Sequence, residues 1–140
     1  MSKIGIFLAN GCEEIEALTV VDVARRAGIE VVMISISDTL EIQGAHNIVF
    51  QAEVAAKEAD FDSLDGIVLP GGMPGTIHLG ESACVQGVIR KFAEEGKLVS
   101  AICAAPSVLG QAGLLQGKSA TCYPGFEEQL LGAEAKADSV

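Results

Sequence analysis

The chain has 140 residues, 49% of them hydrophobic, and 19 acidic residues against 9 basic ones give it a formal net charge of -10. That apolar content excludes a disordered chain, and the acidic balance argues against nucleic acid and against anionic membrane surfaces as partners. No apolar run approaches the ~18 residues that span a bilayer. Met1-Ser2-Lys3 leads straight into a strand-like segment without a cleavable signal, so the expectation is one cytoplasmic domain over residues 1–140.

In chain order, residues 3–8 (KIGIFL) read as a buried strand, broken by Asn10-Gly11. A helix is predicted from Glu13 to about Ala27. Ile15, Leu18, Val21 and Ala24 recur at helical spacing, acidic residues occupy the first turn, Arg25-Arg26 the last, and Gly28 is the stop. Residues 29–36 (IEVVMISI) form a second strand rich in β-branched residues. Residues 38–51 hold one or two short strands with a turn at Gln43-Gly44, the better candidate being 48–50, and residues 53–60 read as a short acidic helix or loop. Residues 66–69 are the next strand, and Pro70-Gly71-Gly72-Met73-Pro74-Gly75 follows as a loop. Residues 82–95 show a helical stripe of Val85, Val88, Ile89 and Phe92, stopped by Gly96. After it come a strand at 98–102, a helix to about Leu115, a strand at 119–122, a short helix at 126–131 and the start of a strand at 137–140. This repeated βα order predicts a parallel sheet with helices on both faces and a site at its carboxyl edge.

Three loops meet at that edge, and the third carries Cys103, between a buried strand and a helix with Pro106 in its first turn. A cysteine on such a turn is pushed out of the sheet top towards helix N–H groups, which favours thiolate. Position alone leaves this reading level with that of a packed core thiol. Of the four cysteines, Cys12, Cys84, Cys103 and Cys122, none forms a CxxC pair, so neither a disulfide scaffold nor a zinc site is expected. Cys84, beside the Val85 stripe, reads as packing; Cys12 lies beside the site loop, where a role as an exposed secondary oxidation point is the weaker reading. His46 and His78 have no metal-ligand spacing and read as polar loop residues. No cofactor or metal motif is present, and Pro-Gly-Gly lacks the Lys and Ser/Thr of a phosphate loop.

The segments GCEEIEA, GIVLPGGMPG, AICAAP and ATCYP, in this order and spacing, resemble the DJ-1/ThiJ/PfpI family and within it the DJ-1-like branch. The resemblance covers essentially the whole chain. It implies a flavodoxin-like sheet sandwiched between helices, of the class I glutamine amidotransferase-like type. It makes Cys103 the reactive cysteine, with Glu16 reaching its sulfur and the pair sharing one proton because two adjacent anions repel. An oxyanion or substrate pocket from Gly71, Gly72, Ala104 and Tyr123 follows by the same resemblance. Read without it, Glu16 is an ordinary first-turn glutamate.

Three departures shape the functional expectation. Tyr123-Pro124 stands where many relatives have His-Pro, and a tyrosine is a poor base near neutral pH. Ala104 stands where protease-like relatives carry a histidine, so a Cys-His couple is missing and a PfpI-like peptidase is the weakest reading. Family members usually continue through a further strand and a closing helix, which predicts a C-terminally truncated domain. Two functions use the same residues: a cofactor-independent glyoxalase or protein deglycase acting on a small aldehyde or glycated substrate, and a redox-sensing stress or chaperone protein whose Cys103 oxidises to sulfinate. The resemblance also implies a homodimer.

Overall fold

The computed structural model describes residues 2–138. The strands are β1 (Lys3–Leu8), β2 (Glu30–Ser35), β3 (Glu41–Gln43), β4 (Val49–Gln51), β5 (Val54–Ala55), β6 (Gly66–Leu69), β7 (Leu98–Ala101), β8 (Ser119–Ala120) and β9 (Glu134–Ala135). The helices are α1 (Glu14–Arg26), α2 (Gly75–Glu81), α3 (Ala83–Glu94) and α4 (Pro106–Gln111). Five strands form one parallel sheet in the order β5-β2-β1-β6-β7. Its central strands are near-continuous apolar runs because both faces of the sheet are covered.

Alternation along each strand divides the core into two layers. Phe7, Ile34, Ile67 and Leu69 point to one face and pack with Val85, Ile89 and Phe92 of α3 and Val108 of α4. Ile6, Leu8, Met33 and Val68 point to the other, against Ala17 and Val21 of α1 and Ile42 of the β3–β4 hairpin.

Several elements differ from the sequence expectation. On α1 the buried residues are Glu14, Ala17 and Val21, and Leu18 and Ala24 pack against the core as expected. Ile15 is 73% exposed, so the predicted stripe holds except at its first position, with Ala17 added to it. A short helix, α2, follows the glycine loop where only loop was expected, and residues 53–60 hold β5 and a 3-10 turn. β3 and β4 form an antiparallel hairpin outside the main sheet. α4 ends at Gln111, well before Leu115. The late strand is only Ser119–Ala120 and pairs with β9 in a separate small sheet. Of the strand expected at 137–140, Ala137 and Asp138 are not extended into a ladder, and 139–140 lie outside the described residues.

The chain leaves β1 towards β2 and β5, then returns to the other side of β1 to build β6 and β7. That reversal opens a crevice at the carboxyl ends of β1 and β6, where open α/β sheets place ligands.

Candidate functional site

The crevice is walled by the loops after β1 and β6. Glu13 N–H donates to the Gly71 carbonyl at 2.9 Å, and Gly75 N–H donates to the Gly11 carbonyl at 3.1 Å. Gly72 makes this close approach possible. It sits at φ +91°, and a Cβ there would lie 2.7 Å from the Cys12 carbonyl carbon and overlap the Glu13 amide nitrogen.

The third wall is the turn after β7. Ile102 N–H still continues the sheet ladder to the Leu69 carbonyl at 3.2 Å. Cys103 then takes φ +62°, a left-handed conformation rare for a residue with a side chain. The turn is locked downstream, where Ala105 N–H donates to the Ile102 carbonyl (3.1 Å) and the Ser107 hydroxyl to the Ala104 carbonyl (2.6 Å). Strain of this kind persists only where its surroundings over-determine it.

The geometry brings Cys103, Glu16, Gly71, Gly72 and Ala104 together. Cys103 Cβ and Glu16 Oε2 both lie 2.7 Å from the point where a Cβ on Gly71 would stand. The Glu16 carboxylate and the backbone N–H groups of Ala104 and Gly72 all act on the charge of the half-buried thiol. Gly71 N–H donates to Glu16 Oε2 at 2.8 Å. Tyr123 joins by its backbone, its N–H donating to the Cys103 carbonyl at 2.6 Å. Its ring is exposed and packs edge-on against Phe126.

The electrostatics correct one expectation. Desolvation, followed by the Glu16 carboxylate, holds the Cys103 thiol above its ordinary range, against the downward pull of the Ala104 and Gly72 N–H groups. The helix N–H groups of the turn therefore do not bring the thiol below its ordinary range, because burial and, after it, the acidic neighbour outweigh them.

The remaining cysteines also depart from expectation. Cys12 is buried, not exposed, and burial together with Glu14 pushes its thiol up to about 11, an inert state at neutral pH. Cys84 is exposed and lies off the packed stripe.

Sequence spacing also hid one cluster. Glu14, only 3% exposed, accepts His46 N–H at 2.7 Å and Ile48 N–H at 3.4 Å through Oε1, and His46 Nδ1 lies 2.9 Å from Oε2. Glu13, Glu14 and His46 bring possible ligand atoms within 4.8 Å of one another. Both Glu14 oxygens are already occupied by N–H groups of the hairpin, so the cluster is built as an ion pair. Burial would raise the Glu14 carboxyl, but the His46 ring and the backbone N–H groups outweigh it and hold it at about 2. The hydrogen bond its ring N–H donates to Glu14 and the charge of Glu13 raise the His46 imidazole.

The two shifts set opposite flanks of one pH window. Glu14, depressed in the fold, stabilises above its unfolded value near 4.5, and that contribution is lost as pH falls towards 2. His46, raised in the fold, stabilises below its unfolded value near 6.5, and that contribution is lost as pH climbs through its higher folded value. The difference in urea midpoint between the native chain and His46→Ala is therefore expected to peak between about pH 4.5 and 6.5 and to shrink on both sides. A difference that stays flat with pH would show that the ion pair contributes nothing to stability. His78 is engaged elsewhere, its Nδ1 2.9 Å from the Asn10 carbonyl.

Comparison with known proteins places this arrangement. The chain matches the DJ-1/PfpI family over residues 2–140. It is 36% identical to protein dj-1beta of Drosophila melanogaster over 126 residues, covering 90% of this chain and 67% of that protein. Against a deglycase of Pyrococcus abyssi it is 32% identical over 132 residues, covering 94% of this chain and 78% of that one. It spans only 32% and 33% of two Arabidopsis thaliana DJ-1 homologs. The solved structure of oxidized Toxoplasma gondii DJ-1 superposes with a TM-score of 0.87 at 37% identity, covering 92% of this chain and 71% of that one. Among the described residues no helix is long and apolar enough to cross a membrane. With the glycine loop, the strained cysteine turn and the first-helix glutamate in one crevice of a parallel sheet, this chain belongs to the DJ-1/PfpI family.

Proposed function

We propose that the chain is a DJ-1-like protein that detoxifies reactive carbonyls with Cys103 as nucleophile and Glu16 as proton carrier. The observation that supports this is the set of groups gathered at one sulfur: the Glu16 carboxylate, seated with Cys103 against Gly71, and the N–H groups of Gly72 and Ala104. A relative named as a deglycase supports glycation adducts as substrates, and the same reading extends to the small aldehydes from which such adducts form.

With methylglyoxal, the Cys103 sulfur bonds the aldehyde carbon and the C=O π pair moves onto oxygen. Gly72 and Ala104 N–H groups stabilise that developing anion, and the thiol proton passes through Glu16 to the alkoxide. Glu16 then takes the proton from the former aldehyde carbon and returns it to the neighbouring carbon, while the hydroxyl proton on the former aldehyde carbon moves to the ketone oxygen. The first carbon thus becomes the C=O of a lactoyl thioester and the second an alcohol. Water cleaves that thioester, releasing lactate and restoring the thiol. The sum is methylglyoxal plus water to lactate, with no external oxidant or reductant. Gly71 holds Glu16 in place, and Tyr123, joined to the Cys103 carbonyl by its backbone N–H, offers an exposed ring for substrate contact. The same reading places the protein in the cytoplasm as a homodimer.

The test is lactate formation from methylglyoxal by the purified chain. Turnover is expected, and Cys103→Ala is expected to lose at least about a hundredfold of it. A folded chain without turnover, or an unaffected Cys103→Ala, rejects the enzyme. A second reading uses the same donors: two equivalents of peroxide oxidise the thiol to a sulfinate, whose oxygens accept the Gly72 and Ala104 N–H groups. It is favoured if turnover is absent while mild peroxide adds two oxygens to Cys103 by mass spectrometry.

A further inference from the structure

The first turn of α1 is gripped from two sides. Towards the crevice, Glu16 accepts from Gly71 N–H at 2.8 Å and meets the Cys103 thiol. Glu14, two residues earlier, lies about 200° around the helix at 100° per residue, and its side chain runs the opposite way into the β3–β4 hairpin. There it takes the three contacts from His46 and Ile48 described above. The seat is tight, since a Cβ on Gly44 would overlap the Glu14 carboxylate. The hairpin itself is anchored independently of Glu14. Gly11 N–H donates to the Gln43 carbonyl (2.8 Å), Ala45 N–H to the Cys12 carbonyl (2.8 Å) and Gln43 N–H to Asn10 Oδ1 (3.0 Å). It is a fixed wall on which the helix turn rests.

We propose that His46 is a positioning residue for the site: by holding the buried Glu14 carboxylate from the hairpin side, it sets the rotation of the first turn of α1 and hence the reach of Glu16 to the Cys103 sulfur. The inference rests on the reading of Cys103 and Glu16 as a working pair. Because hairpin and loop remain joined through Gly11, Ala45 and Gln43, loss of the His46 ring frees Glu14 Oε2, leaves Oε1 on the backbone N–H groups of residues 46 and 48, and loosens the helix turn without detaching the hairpin. Glu16, now held mainly by Gly71, swings within the crevice. The charged groups facing His46 are Glu13 and Glu14 of α1; its neighbour Asn47 is neutral.

The readout is the pH midpoint of Cys103 alkylation by iodoacetamide, followed on the Cys103 peptide by mass spectrometry so that exposed Cys84 does not contribute. Since Glu16 raises the thiol, Glu16→Ala is expected to lower this midpoint. His46→Ala is expected to lower it by about half a unit, roughly threefold in rate below the midpoint. In the Glu16→Ala background His46→Ala is expected to do nothing further, because the two act through one contact. His46→Asn, whose amide nitrogen takes the place of ring Nδ1, is expected to restore the native midpoint. A native midpoint in folded His46→Ala, or an equal shift with and without Glu16, overturns the proposal. If Glu16→Ala itself leaves the midpoint unmoved, the Cys103–Glu16 pairing fails first. Should His46→Ala lose its far-UV circular dichroism, Glu14→Gln takes its place in the same cycle, with the same two outcomes deciding.

Discussion

Gly71→Ala is expected to leave the chain folded and to cut Cys103-dependent turnover by about a hundredfold or more. The Gly71 backbone is not in the left-handed region, so alanine is allowed there. The added methyl is the difficulty: it would stand 2.7 Å from Cys103 Cβ, 2.7 Å from Glu16 Oε2 and 3.0 Å from the Ile102 carbonyl. Two of those neighbours are side chains, and the Glu16 carboxylate is the one able to yield. It leaves the Gly71 N–H and moves off the sulfur. Displacement of a working group by about 1 Å is enough for a loss near a hundredfold. Lactate formation and a urea titration on the same sample separate the effects, with turnover falling steeply and the midpoint moving little. Near-native turnover in Gly71→Ala would reject the idea that proton traffic runs between Glu16 and Cys103.

One residue further on, Gly72→Ala is expected to act on folding instead. Its φ of +91° already disfavours a side chain, by roughly 1–2 kcal/mol. The new Cβ would meet only backbone, 2.7 Å from the Cys12 carbonyl carbon and 2.8 Å from the Gly11 oxygen, besides overlapping the Glu13 nitrogen. These atoms belong to the loop that starts α1 and cannot rotate away, so the loops after β1 and β6 must part. A loss of ~3–5 kcal/mol follows, among the larger single-residue effects, read as a shift of the urea midpoint at constant slope. A shift under ~1 kcal/mol would show that the loops adapt more freely than their packing implies.

The unequal roles of these adjacent glycines bear on what a sequence discloses. β1, β2, β6 and β7 were legible as apolar runs, because a parallel strand covered on both faces needs little polar alternation. The α3 stripe was legible as well, and Val85, Val88, Ile89 and Phe92 are all buried. α2 was not, because GTIHLGE carries weak helix formers and takes its order from packing, with Leu79 1% exposed. The α1 stripe was legible at Leu18, Val21 and Ala24 but not at its start, since Ile15 and Ala17 both satisfy an apolar period and only the sheet decides which of them faces inward. At the site, the Cys103 turn followed from strand, cysteine and proline in succession. Glu16 needed the family resemblance, as three glutamates in four positions are equivalent until the helix is rotated into place. The Glu14–His46 pair could not be read at all: its partners are separated by 32 residues, and the carboxylate is buried only because a hairpin folds over it.

The division of the core into two layers has one more consequence. Glu16 is carried by α1, whose Ala17 and Val21 pack in one layer, whereas Cys103 leads into α4, whose Val108 packs in the other. The separation between carboxylate and sulfur is thus a ruler laid across the sheet, and interiors this close-packed transmit small displacements rather than absorb them. Cavities or added methyl groups far from the crevice, on either face, are expected to register there as a changed rate of Cys103 alkylation. The chemistry of Cys103 is in this sense a strain gauge for the cohesion of the domain.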